Sequence, residues 1–543
     1  MCIPVVWSYF QPHFFHLHDY THVARLSELE RGFADGQLPV RWSQNLGYGY
    51  GMPQFSFYGP LFYLQALFFR IFFFSYIDSV KLAVSLQVFI SFLALFKLGE
   101  LLSNKWGGIL AGIAGVYAPY RLVDMYVRGA FAELAGMTMV ALTLYFMTLW
   151  ANKPSEKKAM LIGLTSAGIV LSHTLMGLIS ALFIGLYYLF LIKNYKRWFG
   201  FNRQILTSIV IAFGLSAFFA IPALAEKSYT QADKLTTGFS NYNHHFLYIR
   251  QLWQSAWGYG GSIWGLDDNV SFELGKVQII TIIATLFMAF ALFVRRRKIN
   301  RFIVVFGILT TLQLFLTILK SKPIWDILPI LTYIQFPWRF LSIASIFAGI
   351  LCSMLVLFIP KKLVPLTTLI LAGLMILTQI NHLKPESFLT DDKLLYYDDP
   401  LLIRTKMSDV IPDFLPFKAN LDGLVVPAAI DSKVKLNPDI NMSIPVQRSH
   451  EFLVYAETNK PFDLETNIFD FPGWTLYLNG KEIEHSQTAN GLIRATIPVV
   501  TDYNYISGRF EETFLRQTAN LFSFLTVVYV TQIVVSKKSK KQI

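Results

Sequence analysis

Long apolar runs separated by short polar gaps dominate this chain. A transmembrane helix needs about 20 mostly apolar residues, and the pattern predicts about eleven such helices. The run at 159–192 has room for two short helices that meet near Ser172 and His173, and the run at 107–120 is short. The other predicted spans are 79–101, 131–150, 204–225, 277–294, 302–319, 336–358, 363–381 and 514–535.

The pattern changes after residue 381, where short alternating runs replace the long apolar ones. "FLVYAET", "WTLYLNGKEIE" and "GLIRATIPVV" are typical of strands, and Asn479-Gly480 is a two-residue hairpin signal. Residues 382–513 are therefore predicted to form a separately folded β-sandwich-like domain. A multi-span domain at 1–381 precedes it, and residues 514–543 supply a final span with a basic tail.

Composition agrees with a polytopic membrane protein. Hydrophobic residues make up 54% of the chain and charged residues 15%, against about 25% charged in soluble domains. The net charge of +12 would permit nucleic-acid binding, but the distribution of the positive charge along the chain argues against such binding. The positive charge lies in short gaps between apolar runs, and the rest of the chain is net negative. The basic clusters are 151–158, 193–203, 295–301, 360–362 and the tail.

The positive-inside rule places these clusters in the cytoplasm. Residues 16–59, 226–276 and 382–513 then lie on the extracytoplasmic face, and the apolar segment 60–77 must be interfacial rather than crossing. "MCIPVVWSYF" is too short to span and is not a signal peptide, so we expect an N-terminal span to be missing. No disulfide is expected between Cys2 and Cys352.

"HLHDYTH" begins the first outer loop with an aspartate between histidines. In a helix, His18 and His22 would share a face, and with Asp19 they could bind a divalent metal. Asp19 could instead be a general base or cap the following helix. The glycine-rich "NLGYGYGMP" at 45–53 lacks a phosphate-loop ending, and a tight loop with positive φ angles is the simpler interpretation.

Ionisable residues recur at the outer ends of apolar runs. Arg128 and Glu133 are predicted to flank a loop-to-helix turn, either as phosphate ligand and second carboxylate or as an interfacial ion pair. Arg339 lies in "QFPWRFL", where a charge is costly and usually functional, although it could snorkel to the interface. His173 is equally compatible with a site or with a hydrogen bond between helices.

The loop 226–276 combines aromatic residues with carboxylates. Trp257 could stack on a sugar, while Asp267 and Asp268 could bind its hydroxyls, which would make the loop a lid. An interfacial aromatic belt is the alternative.

Several motifs together resemble a known family. "GQLPVRW" and "GYGMPQFSFYGPLFY" follow Asp19, and "DMYVRGAFAELAG", "LSHTLMGL", "WGYGGSIWGLDDNVSFELG" and "YIQFPWRFL" occur further on. They resemble bacterial membrane proteins labelled 6-pyruvoyl-tetrahydropterin synthase-related, which look like relatives of the GT-C superfamily of polyprenyl-phosphate-sugar glycosyltransferases. The resemblance implies a GT-C-like fold, and it implies that Asp19 is a base or a metal-site carboxylate.

The resulting hypothesis is a multi-pass glycosyltransferase of the bacterial plasma membrane. It would move a sugar from a polyprenyl-phosphate donor to an extracytoplasmic acceptor, with Asp19 and Glu133 as catalytic carboxylates. Substrate would be bound by Arg128, Arg339, His173, Trp257, Asp267 and Asp268, and a divalent metal by His18, Asp19 and His22. The alternative is a non-catalytic transporter or scaffold for lipid-linked glycans.

The topology can be tested by labelling single cysteines introduced as Ser155→Cys and Ile440→Cys, with Cys2 and Cys352 replaced. A membrane-impermeant maleimide should label position 440 in intact cells and position 155 only after permeabilisation, because the basic clusters hold position 155 inside. Labelling of position 440 only in permeabilised cells would contradict the assignment.

Overall fold

The structure is a computed structural model that describes residues 1–194, 203–389, 398–408, 414–424, 432–498 and 501–539. Most of the basic cluster at 193–203 and the end of the basic tail lie outside the described residues. The fold is mostly helical, with a β-rich domain near its C-terminus.

Thirteen helices in the described chain have ten or more residues. They are α1 (His22–Ala34), α2 (Leu61–Arg70), α3 (Tyr76–Leu102), α4 (Lys105–Val116), α5 (Phe131–Asn152), α6 (Glu156–Ser172), α7 (Thr174–Asn194), α8 (Arg203–Ala225), α9 (Lys276–Val294), α10 (Arg301–Thr317), α11 (Leu341–Met354), α12 (Val364–Thr378) and α13 (Phe514–Ser539).

Seven helical segments are long and apolar enough to cross a membrane, judged on the described residues by length and composition. They are α3, α5, α7, α8, α9, Pro337–Leu357 around α11, and Phe514–Val535 within α13. Helices α2, α10 and α12 are apolar but shorter. The polytopic helical class is confirmed, while crossings beyond these seven stay a prediction.

Two short segments agree with the sequence pattern. Helices α6 and α7 meet at His173, as predicted for the run 159–192. Helix α2 has 10 residues, which is about 15 Å and too short to cross the bilayer.

Helix α4 packs closely against α3. A Cβ on Gly108 would lie 2.6 Å from the Phe96 carbonyl oxygen, so the absence of a side chain at Gly108 permits this close approach.

The β-rich domain is built from two antiparallel sheets. One has the order β1-β2-β8-β4-β5 and the other β3-β7-β6. Leu478 pairs with Lys481 across Asn479 and Gly480, whose φ angles of 51° and 82° confirm the predicted hairpin. The strands are β1 (Asn441–Arg448), β2 (Glu451–Glu457), β3 (Phe462–Phe469), β4 (Trp474–Leu478), β5 (Lys481–Ile483), β6 (Ser486–Gln487), β7 (Leu492–Ile497) and β8 (Tyr503–Phe510).

The first outer loop shares a hydrophobic core with this domain. Trp42 is 1% exposed, and its ring centroid lies 5.5 Å from that of Trp474 and 5.1 Å from that of Phe510. Separate folding of residues 382–513 stays a prediction, but this shared core argues against it.

The glycine-rich stretch forms the predicted tight loop. Gly47, Gly49 and Gly51 all have positive φ. A Cβ on Gly51 would lie 2.5 Å from Trp42 Nε1, so glycine is needed there for space as well as for conformation. The Tyr50 carbonyl oxygen accepts a hydrogen bond from Phe469 N–H, which joins the loop to β3.

Trp42→Ala should lower the free energy of unfolding by about 3–5 kcal/mol, because it leaves a cavity in the shared core. Denaturant unfolding of the detergent-solubilised protein measures this change. Trp7→Ala is the matched control, since Trp7 is 60% exposed and its removal should have little effect. Equal destabilisation by the two substitutions would contradict the shared core.

Candidate functional site

A cavity of about 840 Å³ lies where the predicted outer ends of several helices meet. The start of α5, His173 between α6 and α7, the start of α7 and the end of α8 all contribute to its wall. The basic clusters lie at the opposite ends of these helices, which agrees with an extracytoplasmic cavity. The predicted site residues in the wall are His18, Asp19, Arg128, Glu133, His173 and Arg339.

Backbone pairing brings Asp19 next to Arg128. His18 N–H donates to the Val127 carbonyl oxygen and Asp19 N–H to the Arg128 carbonyl oxygen, both at 2.9 Å. Gly129 follows with a φ of 67°, and a Cβ there would lie 2.8 Å from the Asp19 carbonyl oxygen. The glycine in "VRGAF" therefore permits this close approach.

The Asp19 carboxylate forms an ion pair with Arg25 rather than a helix cap. Its Oδ1 accepts from Thr21 Oγ1 at 2.6 Å and its Oδ2 from Arg25 Nη1 at 2.8 Å. Helix α1 begins at His22 with Thr21 as its N-cap, so the cap interpretation is wrong. Burial alone would raise the pKa of Asp19, but the nearby Arg25 guanidinium and the hydrogen bonds from Thr21 and Arg25 hold it well below its usual range. The carboxylate is therefore ionised, and its side chain is 28% exposed.

The predicted metal-binding set is not assembled. His18 precedes α1, so it does not share a helical face with His22, and its Nε2 contacts the Tyr259 carbonyl oxygen. Burial lowers the pKa of His22 to about 4. This neutral ring donates from Nε2 to the Gly129 carbonyl oxygen and accepts at Nδ1 from the Tyr63 hydroxyl. In the described parts of the chain, no three His, Cys, Asp or Glu side chains form a metal-binding group.

Arg128 and Glu133 form an ion pair that is buried rather than interfacial. Arg128 Nη2 lies 3.0 Å from Glu133 Oε2, and Nη1 donates to Asp124 Oδ1 and to the Tyr120 hydroxyl. The side chains of Asp124 and Glu133 are 0% and 2% exposed. The guanidinium carbon is 4.6 Å from the Trp338 ring centroid. Arg128 thus already has two buried carboxyl groups as partners.

Arg339 differs because its hydrogen-bond partners are neutral. Nη1 donates to the Ile334 carbonyl oxygen at 2.8 Å and to Gln335 Oε1 at 2.7 Å. Its Nε is buried without a hydrogen-bond partner, and no carboxylate of the described chain forms a salt bridge with it. His173 also lines the cavity, where its Nδ1 accepts from Met176 N–H at 3.4 Å. Arg339 is therefore the better-suited cation for an anionic ligand.

Residues 55–384, well over half of the chain, match the family described as the 6-pyruvoyl-tetrahydropterin synthase related domain, a membrane protein family. The chain belongs to this family. The resemblance based on its motifs is thereby confirmed.

Two further likenesses are partial. An uncharacterized protein of Lactococcus lactis subsp. cremoris is 28% identical over 211 residues, which cover 37% of this chain and 34% of that protein. The match thus spans about a third of the relative's length. The apo crystal structure of the Archaeoglobus fulgidus oligosaccharyltransferase aligns with a TM-score of 0.39 and 11% identity, covering 75% of this chain and 54% of that chain. This TM-score is too low to support an argument.

In this family member the aromatic and acidic residues predicted from the loop 226–276 lie outside the cavity wall. Trp257 stacks on His382 with ring centroids 4.2 Å apart. Asp268 accepts hydrogen bonds from Gln251 Nε2 and Ile263 N–H, and Asp267 is exposed. The loop still borders the cavity, through Lys227, Ala232, Thr236, Phe239, Gly260, Gly261, Ser262, Val270 and Phe272.

Sequence reasoning missed Arg25, Tyr58 and Lys227 in the cavity wall. The Arg25 guanidinium carbon lies 4.0 Å from the Tyr58 ring centroid, and Lys227 Nζ forms an ion pair with Asp233 at 2.6 Å. A signal was present for Lys227, which lies just after the apolar run 204–225, at a position where ionisable groups are costly.

Arg128→Leu should destabilise the protein by about 3–5 kcal/mol, because it leaves the Asp124 and Glu133 carboxylates buried without their partner. Arg339→Leu is the matched control, since Arg339 forms no salt bridge with a carboxylate of the described chain and its hydrogen-bond partners are neutral, and it should cost far less. Denaturant unfolding in the same detergent compares the two variants. An Arg339→Leu loss as large as the Arg128→Leu loss would contradict this distinction.

Proposed function

We propose that this protein is a membrane glycosyltransferase that moves a sugar from a polyprenyl-phosphate donor to an acceptor on the extracytoplasmic face. The observation that carries the proposal is that one mostly apolar cavity is lined by an ionised carboxylate, Asp19, and by a guanidinium, Arg339, whose hydrogen-bond partners are neutral. A lipid-linked sugar phosphate has this combination of one charged group, a polar head and an apolar tail.

The apolar part of the wall suits the lipid. Leu175 and Leu178 of α7 line it, together with Leu224 at the end of α8 and Ile330. Leu224 is 80% exposed and Ile330 54% exposed. In a membrane-spanning protein such exposed side chains next to a cavity would face the bilayer, so an isoprenoid chain could lie against them.

Transfer would form a bond between an acceptor hydroxyl oxygen and the anomeric carbon of the sugar. The bond from that carbon to the phosphate oxygen breaks, and polyprenyl phosphate leaves with the bonding electrons. Arg339 would bind the phosphate, whose charge grows as the bond breaks. The hydroxyl proton would pass to Asp19.

The neighbours of Asp19 determine how strong a base it would be. Arg25 lowers its pKa, so the carboxylate would be a weak base that orients the hydroxyl and accepts the proton late, once attack has made the hydroxyl acidic. Glu133 is bound by Arg128 and Tyr120, which favours an electrostatic role for it over proton transfer. Arg128 would then position Glu133 rather than bind donor phosphate itself.

The proposal is tested by incubating the purified protein in liposomes with radiolabelled polyprenyl-phosphate sugars and a membrane extract as acceptor source. Asp19→Asn should lower the transfer rate by about 10²–10⁴-fold, because an amide accepts no proton. Arg339→Gln should lower kcat/KM by about 10–100-fold through loss of a charged hydrogen bond.

Asp267→Asn is the matched control, because Asp267 is exposed and outside the cavity wall, and transfer should be unchanged. Near-wild-type complementation of a deletion strain by Asp19→Asn at normal expression would overturn the catalytic role and favour the scaffold alternative.

A further inference from the structure

A second, smaller cavity of about 150 Å³ lies between the glycine loop and the β-rich domain. One side comes from the membrane domain and its glycine loop, and the other from the strands and the segment before them. Its wall consists of Trp42, Gln44, Gly49, Tyr50, Arg404, Ser432, Lys433, Gln447, Asn467 and Ile468.

Hydrogen bonds hold the polar wall in place. Lys433 N–H donates to Gln447 Oε1 at 2.8 Å, and Asn467 Nδ2 donates to the Ser432 carbonyl oxygen at 2.8 Å. Arg404 Nε donates to Asn45 Oδ1 at 2.9 Å. The side chains are thus oriented by the fold, as a binding site requires.

The cavity wall contains two cations and no carboxylate. Lys433 Nζ donates to the Ser449 carbonyl oxygen at 2.8 Å and forms no salt bridge with a described acid. Desolvation lowers the pKa of Lys433 to about 7. A bound anion would offset this cost of keeping a buried ammonium charged.

The acids that act on Lys433 lie outside the cavity wall. Glu28 accepts hydrogen bonds from Ser43 Oγ and from the backbone and side chain of Asn45. Asp35 Oδ2 accepts from Ser449 N–H at 2.6 Å. Both carboxylates, like Glu451, attract the Lys433 ammonium from outside the wall, but the two cations are the charged groups that a ligand in the cavity would contact.

We infer that this cavity binds an oxyanion of the phosphate class, held by Lys433 and Arg404 and by the amide groups of Gln44 and Asn467. A volume of about 150 Å³ equals the share of about five water molecules, which suits one phosphoryl group with bound water. The bound group would connect the glycine loop to the β-rich domain. The site is separate from the large cavity and does not depend on the proposed transfer reaction.

Titration calorimetry of the full-length protein in detergent, with inorganic phosphate against chloride at equal ionic strength, tests the site. Gln44→Glu preserves side-chain size but adds a negative charge to the wall, and it should weaken phosphate binding at least about tenfold. Lys433→Gln should weaken it by about 10–100-fold. Lys435→Gln is the matched control, because the Lys435 ammonium is paired with Glu465 and absent from the wall, and it should bind phosphate normally.

The same titrations separate the possible sources of the anion. Tighter binding of inorganic phosphate than of glycerol 3-phosphate indicates a free ion. Tighter binding of glycerol 3-phosphate, with thermal stabilisation in phosphatidylglycerol nanodiscs over phosphatidylcholine nanodiscs, indicates a lipid headgroup. Phosphate binding no stronger than chloride binding, or unaffected by Gln44→Glu in a protein with an unchanged melting temperature, would overturn the site.

Discussion

A guanidinium buried between two carboxylates is the interaction on which the large cavity depends. Arg128 lies between Asp124 and Glu133, where none of the three side chains has much access to water. Such groups are tolerated only when they satisfy one another, so the start of α5 and the turn before it are held in one arrangement. The backbone of the same turn pairs with Asp19, and the first outer loop thereby becomes part of the cavity wall.

The β-rich domain depends on the first outer loop in a similar way. Trp42 and Tyr50 contribute to the domain's core, and Arg41 Nε pairs with Glu512 just before α13. Arg516 of α13 in turn pairs with Glu226 at the end of α8, at 2.9 Å with both side chains buried. Parts of the chain that are hundreds of residues apart are thus joined at the predicted extracytoplasmic end of the bundle.

The distribution of charge around the large cavity separates two kinds of arginine. Arg25 and Arg128 have carboxylate partners, which makes them part of the framework. Arg339 has neutral partners and one unsatisfied nitrogen, so an incoming anion would gain most by contacting it. The framework arginines hold the carboxylates in position, whereas Arg339 is available for a ligand.

Local patterns in the sequence determined the membrane class, most helix positions, the hairpin at Asn479 and Gly480, and the helix turn at His173. Each depends on hydrophobic periodicity or turn chemistry within a short stretch. Charges at the ends of apolar runs also indicated Asp19, Arg128, Glu133 and Arg339, because ionisable groups are costly there.

Only the tertiary structure decided which of these residues meet. Pairing of residues 18–19 with 127–128, the partnership of Arg128 with the unpredicted Asp124 and the shared core around Trp42 all join distant segments. The same packing left Asp267 and Asp268 outside the cavity wall and directed both ring nitrogens of His22 to other partners. A local pattern shows that a side chain is costly to bury. Which partner offsets that cost is set by how the helices and loops pack.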